Sequence, residues 1–190
     1  MELSRFAYLI LLGAVAVLRL VELGISRRNQ GRLVAQGARR AADPRFPAMV
    51  ALHTAVLAGA AAEVVLLRRP LIPLLAAPMT ALFLAANGLR WWVIRTLGTH
   101  WNVQVMDSAS LGVISSGPYR WVRHPNYSAV FVEMFSLPLI HTAWITAALG
   151  SALHAWVLRG RIAAEERVLL AEPAYRVAMA SKPRFLPHLF

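Results

Sequence analysis

Positions 117–127 read Gly-Pro-Tyr-Arg-Trp-Val-Arg-His-Pro-Asn-Tyr, the densest run of polar, aromatic and ring-constrained residues in the chain. Two prolines fix φ at about −65° and remove two backbone donors, which makes the run a shaped turn. Gly117 and Asn126 suit such a turn, and His124 and Tyr127 bring hydrogen-bonding groups at close spacing. Further on, Arg161 and Glu165 stand at i, i+4, with Glu166 next in line. On a helix Arg161 and Glu165 share a face. An isolated pair of this kind is an exposed salt bridge of little worth. Beside the turn, the same pair can hold an amino group on the carboxylate and an anionic oxygen on the arginine.

The elements that must position these groups are apolar. The 190 residues are 58% hydrophobic, above the range of ordinary soluble domains, and their number suits a single domain. Crossing a bilayer takes about 20 apolar residues, and three stretches qualify: 6–25, 47–67 and 71–94. The apolar region 128–158 is broken by Pro138 and the His141-Thr142 pair. It reads as a helical hairpin, 128–140 and 144–158, with arms short for a full span. The expected fold is all-α: an integral membrane protein with about five transmembrane helices, a cofactor-binding loop and a C-terminal helix. Residues 1–96 would carry the three N-terminal spans and 97–190 the cofactor-binding and catalytic region. Val103-Gln104-Val105 reads as a short extended piece. The first apolar stretch is too long for a signal-peptide core and reads as retained.

The net charge is +11, and 19 of the 20 basic residues are arginine. Most lie in 27–45, 95–123 and beyond 159, so the positive-inside rule places the amino terminus outside and the carboxyl terminus in the cytoplasm. The charge is therefore a topological signal with some attraction to anionic lipid. No basic-aromatic module supports nucleic-acid binding. With no cysteine, disulfides, thiolate metal sites and cysteine nucleophiles are excluded. His53, His141, His154 and His188 lack metal-ligand spacing.

Ionisable residues within spans are costly and need partners. Arg19 and Glu22 read as a mutually neutralising pair near a membrane interface, and Glu63 has Arg68 or Arg69 within reach. Asn87 and Arg90 stand beside Trp91 and Trp92, an interfacial aromatic belt. Glu133, two turns into the hairpin, either lines a substrate cavity or pairs with an arginine. Gly59 and the surrounding alanines form a small-residue face for close helix packing.

The turn motif, the apolar hairpin and Arg-Ile-x-x-Glu-Glu-x-x-Leu together resemble the isoprenylcysteine carboxyl methyltransferase family over about residues 104–187. The resemblance implies an integral-membrane O-methyltransferase that uses S-adenosylmethionine without a Rossmann domain. No Gly-x-Gly-x-x-Gly fingerprint is present. It implies cofactor contacts from Gln104, Leu111, Gly112, Val113, Ile114, Tyr119, His124, Pro125, Asn126, Tyr127 and Glu165. Arg161 would handle the acceptor, with Arg161 and Glu165 as the catalytic pair and Glu133 a candidate substrate contact. Ala129 departs from a common glycine, and Glu172-Pro173 from a usual Phe-Gly before Tyr175. The implied acceptor is lipophilic: a prenylcysteine carboxylate, or a long-chain alkylpyrone or alkylresorcinol hydroxyl. A bacterial inner membrane is the implied location. An NADPH-dependent membrane reductase of the sterol-reductase type, or a non-catalytic membrane scaffold, are the other readings.

Overall fold

The computed structural model describes residues 2–108 and 111–185. Among these residues six α-helices follow in order: α1 (Glu2–Ala35), α2 (Phe46–Leu66), α3 (Pro73–Leu97), α4 (Pro125–Leu139), α5 (Trp144–Leu169) and α6 (Pro173–Met179). A two-stranded antiparallel ribbon, β1 (Arg39–Arg40) with β2 (Met106–Asp107), joins the first and third connections. Helices α2, α3, α4 and α6 each carry a proline in the first two helical positions. There its missing N–H costs nothing and its fixed φ favours helix.

Among the described residues, α1 and α2 are the helices long and apolar enough to cross a membrane. Only 22% of each apolar window is buried inside the protein, so most of that surface faces outward. Leu3, Phe6 and Val17 on α1, Leu74 and Leu84 on α3, and Leu149 and Trp156 on α5 are likewise exposed. An apolar belt of this extent suits lipid and not water. Helix α4 has 15 residues, about 22 Å at 1.5 Å per residue, which falls short of a hydrocarbon core of about 30 Å.

Two boundaries differ from the sequence expectation. The first polar connection is largely helical, because α1 continues to Ala35 and carries Arg27, Arg28 and Arg32. Its end is anchored: Asn29 Nδ2 donates to the Gly98 and Trp101 carbonyls at 3.0 and 2.8 Å, and Ser26 Oγ accepts the Val103 N–H at 3.0 Å. The extended piece falls at Met106–Asp107, downstream of 103–105, because β1 supplies its partner there.

The core joins Tyr8, Leu12 and Val15 of α1 to Ala60 and Val64 of α2, Phe83 of α3, and Leu137 of α4. Helices α2 and α5 run antiparallel in layers. Thr146 stands against Gly59, Val56 against Gly150, His53 against His154, and Met49 against Arg161. A Cβ on Gly59 would lie 3.3 Å from Thr146 Oγ1, so the small-residue face does serve close approach. Glu63 bonds to Arg69 and accepts the Ile145 and Thr146 N–H groups at 3.1 and 2.8 Å, capping the first turn of α5 from another helix.

Arg19 and Glu22 do pair, within a larger buried group. Glu22 is 1% exposed and accepts Arg19 NH1 at 2.7 Å and Arg90 NH2 at 2.6 Å. Arg19 also donates to Asn87 Oδ1 at 3.0 Å and lies 3.4 Å from Glu133. Two arginines and two glutamates from α1, α3 and α4 thus form one balanced, buried cluster. Sequence separation hid it, because the partners on α1 and α3 lie 68 positions apart.

Candidate functional site

The proline-bounded turn enters α4 at His124, the residue capping its amino end. Gly117 opens the turn at φ +56°, and a Cβ there would meet Thr96 Oγ1 at 2.5 Å. Gly117→Ala therefore meets both a strained φ and a clash, and should destabilise by about 1–3 kcal/mol, read as a lower melting temperature in detergent. The carboxyl-terminal segment clamps the turn through its backbone. Arg123 and His124 N–H groups donate to the Pro183 and Arg184 carbonyls, each at 2.9 Å. Lys182 Nζ donates to the Tyr119 carbonyl at 2.7 Å.

Glu165 and Glu166 are consecutive on α5, so they point about 100° apart and reach different partners. Tyr127 OH donates to Glu165 Oε2 at 2.5 Å. Glu166 is buried and accepts His124 Nε2 at 3.1 Å and Arg184 NH2 at 2.6 Å, with Arg123 NH1 at 3.2 Å. A carboxylate only accepts, so His124 carries its hydrogen on Nε2. The His124 hydrogen bond, followed by Arg184 and Arg123, holds the Glu166 carboxyl down to about 2 against the opposing effect of burial. Its folded pKa lies below the ordinary 4.5, so its stabilisation is complete above 4.5 and is lost as pH falls toward about 2. Melting curves taken across that window should show an acid-dependent loss in the wild type that Glu166→Gln lacks.

These elements surround a cavity of about 450 Å³. Gln104, Gly112, Val113, Ile114, Tyr119, His124, Asn126, Tyr127, Arg161 and Glu165 all line it. Tyr119 packs with Val113 and Tyr175, and burial, then the Glu165 charge, pushes its hydroxyl well above the ordinary value, keeping it a neutral donor. Tyr175 lies on α6, which Pro173 starts and Glu172 caps, so the departure at Glu172-Pro173 begins a helix. From this polar end the cavity continues between α1 and α2 along apolar Ala16, Leu20, Val50 and Leu57.

Three expected site residues stand elsewhere. Leu111 is exposed at 36%, outside the cavity lining. Pro125 is buried and shapes the first turn of α4. Glu133 lines a separate void of about 20 Å³ with Arg19, so of its two readings the arginine pairing is the one observed.

Arg161 is 3% exposed and does not form the surface salt bridge its spacing allowed. Its NH2 donates to the Val103 carbonyl at 2.7 Å and lies 3.2 Å from Asp43 Oδ2, while NH1 touches Met49 Sδ. Phe46 and Tyr127 lie under the guanidinium with ring centroids at 5.8 and 6.0 Å. Sequence reading missed Asp43 and Glu166. Asp43-Pro44 before α2 was a detectable signal, as an acid in an otherwise basic connection.

Comparison with known proteins agrees with this architecture. Residues 79–171, which span most of α3, the turn, α4 and all of α5, match the model of the isoprenylcysteine carboxyl methyltransferase (ICMT) family. YpbQ of Bacillus subtilis (strain 168), named as an uncharacterized protein, is 30% identical over 161 residues, covering 84% of this chain and 95% of YpbQ. With the turn, the hairpin and the acid-bearing helix closing on one cavity, the chain belongs to the isoprenylcysteine carboxyl methyltransferase family and is a membrane methyltransferase.

Proposed function

We propose that the protein transfers a methyl group from S-adenosylmethionine to an oxygen of a lipophilic acceptor at the cytoplasmic boundary of the membrane. In this reading five helices cross or enter the bilayer, with the amino terminus outside. The observation that carries it is the single cavity that joins Tyr119, Tyr127 and Glu165 to an apolar arm between α1 and α2. Its polar end fits the methyl donor. Gln104 Oε1, Asn126 Oδ1, Asn102 Oδ1, His100 Nε2 and Trp101 Nε1 are buried there without hydrogen-bond partners among the described residues. Buried polar atoms of this kind call for a polar ligand. Glu165 suits a cationic amino group, the unpaired amide oxygens suit ribose hydroxyls, the Trp101 Nε1 hydrogen suits a carboxylate, and Val113, Ile114 and Tyr119 suit a flat base.

When bound, S-adenosylmethionine supplies an electrophilic methyl on a sulfonium. The chain's own task is alignment, which can supply much of the acceleration for an in-line displacement. Tyr127 fixes Glu165, and Glu166 fixes the His124 ring through Nε2. Arg161, held by Val103 and Asp43, keeps a buried Nε hydrogen without a partner among the described residues, available to an acceptor oxygen. Tyr175 of α6 lines the cavity, and the 183–184 clamp holds the turn that forms part of its wall.

Asp43 bears on the acceptor. It already balances the Arg161 charge, so a carboxylate entering beside Glu165 would add uncompensated negative charge. A neutral or weakly acidic hydroxyl avoids that cost, its proton passing to the Glu165 carboxylate in the cavity wall as the oxygen takes the methyl, which favours an alkylpyrone- or alkylresorcinol-like acceptor over a prenylcysteine carboxylate. Methyl-labelled S-adenosylmethionine, incubated with detergent-purified protein and each acceptor class, tests this. Label is expected in the hydroxyl acceptors above any in the carboxylate. Label confined to the carboxylate would reverse the acceptor assignment, and label in none would remove the O-methyltransferase reading.

A further inference from the structure

Below the Arg161 layer the cavity holds two histidines that the reaction as described does not use. His154 lies seven residues before Arg161 on α5, about 10 Å deeper on the same face. It is 2% exposed and lines the cavity, and neither of its ring nitrogens has a hydrogen-bond partner among the described residues. His53 faces it edge-on from α2, with ring centroids 5.6 Å apart. Its Nδ1 lies 2.8 Å from the Met49 carbonyl. A carbonyl only accepts, so Nδ1 is the donor, and the neutral ring presents Nε2 as a bare acceptor. Leu57, Val130 and Val157 line the cavity beside them, as do Thr54 and the balanced Arg19, Glu22 and Arg90 of the charge cluster, and the Phe131 ring lies 6.3 Å from His154.

We infer that His154, backed by His53, seats a second oxygen of the acceptor's head group, a hydroxyl distinct from the oxygen that reacts near Arg161. This rests on the methyltransferase reading for what occupies the cavity. A neutral imidazole offers one donor and one acceptor, and a hydroxyl can meet either or both. A plain hydrocarbon tail at this depth would seal both nitrogens of His154 away from any partner, which is unfavourable. The acceptor class is therefore a compact head carrying two oxygen functions on a long apolar chain. A monohydroxyl head on the same chain fits less well.

The probes are a 5-alkylresorcinol and a 3-alkylphenol of equal chain length, titrated calorimetrically into detergent-purified wild type, His154→Phe, His154→Leu and His154→Gln. Melting curves and S-adenosylmethionine titration establish that each variant is folded. Wild type is expected to bind the dihydroxy probe about ten-fold or more tighter than the monohydroxy one. His154→Phe and His154→Leu should bind both equally, with S-adenosylmethionine affinity unchanged, and His154→Gln should keep part of the preference. Equal binding of the two probes by wild type overturns the inference, as does a preference that survives in the Phe and Leu variants. Failure of wild type to bind S-adenosylmethionine would instead strike the methyltransferase reading, while the probe titration still judges the seat.

Discussion

Arg161→Ala is expected to abolish methyl transfer and to weaken the fold at the same time. The guanidinium is buried, bonded to the Val103 carbonyl at 2.7 Å and set 3.2 Å from Asp43. Removing it leaves Asp43, whose side chain is 4% exposed, as an uncompensated buried charge. Breaking such a pair costs about 3–5 kcal/mol. Loss of a preorganised donor at the reacting oxygen is worth about 10²–10³-fold in turnover. The two effects separate in the double variant Arg161→Met with Asp43→Asn. It should recover most of the melting temperature, yet stay about 10²-fold or more below wild type in kcat/KM. Arg161→Lys should fall between, since an ammonium keeps the charge without the planar fork. Near-normal turnover in the stable double variant would remove Arg161 from the site.

Arg90→Met should have the largest effect on stability alone. Arg90 grips Glu22 through Nε at 2.9 Å and NH2 at 2.6 Å, and both residues are buried. Its removal leaves Arg19 to balance both Glu22 and Glu133 in an apolar bundle, and about 3–5 kcal/mol is expected to be lost. Replacing both partners, Glu22→Met with Arg90→Met, leaves Arg19 with Glu133 and restores neutrality. That variant should melt close to wild type. A double variant no more stable than Arg90→Met would show that the cluster is held by packing and not by charge balance.

Elements with a local signature were legible in the sequence. The turn at 117–127 announced itself through its prolines, and the hairpin through Pro138 and the His141-Thr142 break. In the structure Thr142 takes φ +55° and bonds to the Pro70 carbonyl at 2.6 Å. Arg161 and Glu165 were visible through helical spacing, but their partners were not, because Asp43 and Tyr127 approach from other elements. The clamp at Pro183 and Arg184 acts through backbone carbonyls, which leave no trace in side-chain identity. Helix α1 outran its apolar pattern because Ser26, Asn29 and Gln30 are buried against other polar groups, and hydropathy cannot register that kind of packing. His53 and His154 were passed over because the sequence was searched for metal-ligand spacing, whereas these two rings meet only across helices α2 and α5.

In the proposed reading the cavity's polar end holds a methyl donor. Calorimetric titration of the purified protein with S-adenosylmethionine and, separately, with NADPH tests it most directly, repeated for Glu165→Ala. Saturable one-to-one binding of S-adenosylmethionine in the micromolar range is expected, lost in Glu165→Ala, with no binding of NADPH. Binding of NADPH without S-adenosylmethionine, or S-adenosylmethionine affinity indifferent to Glu165, would contradict it.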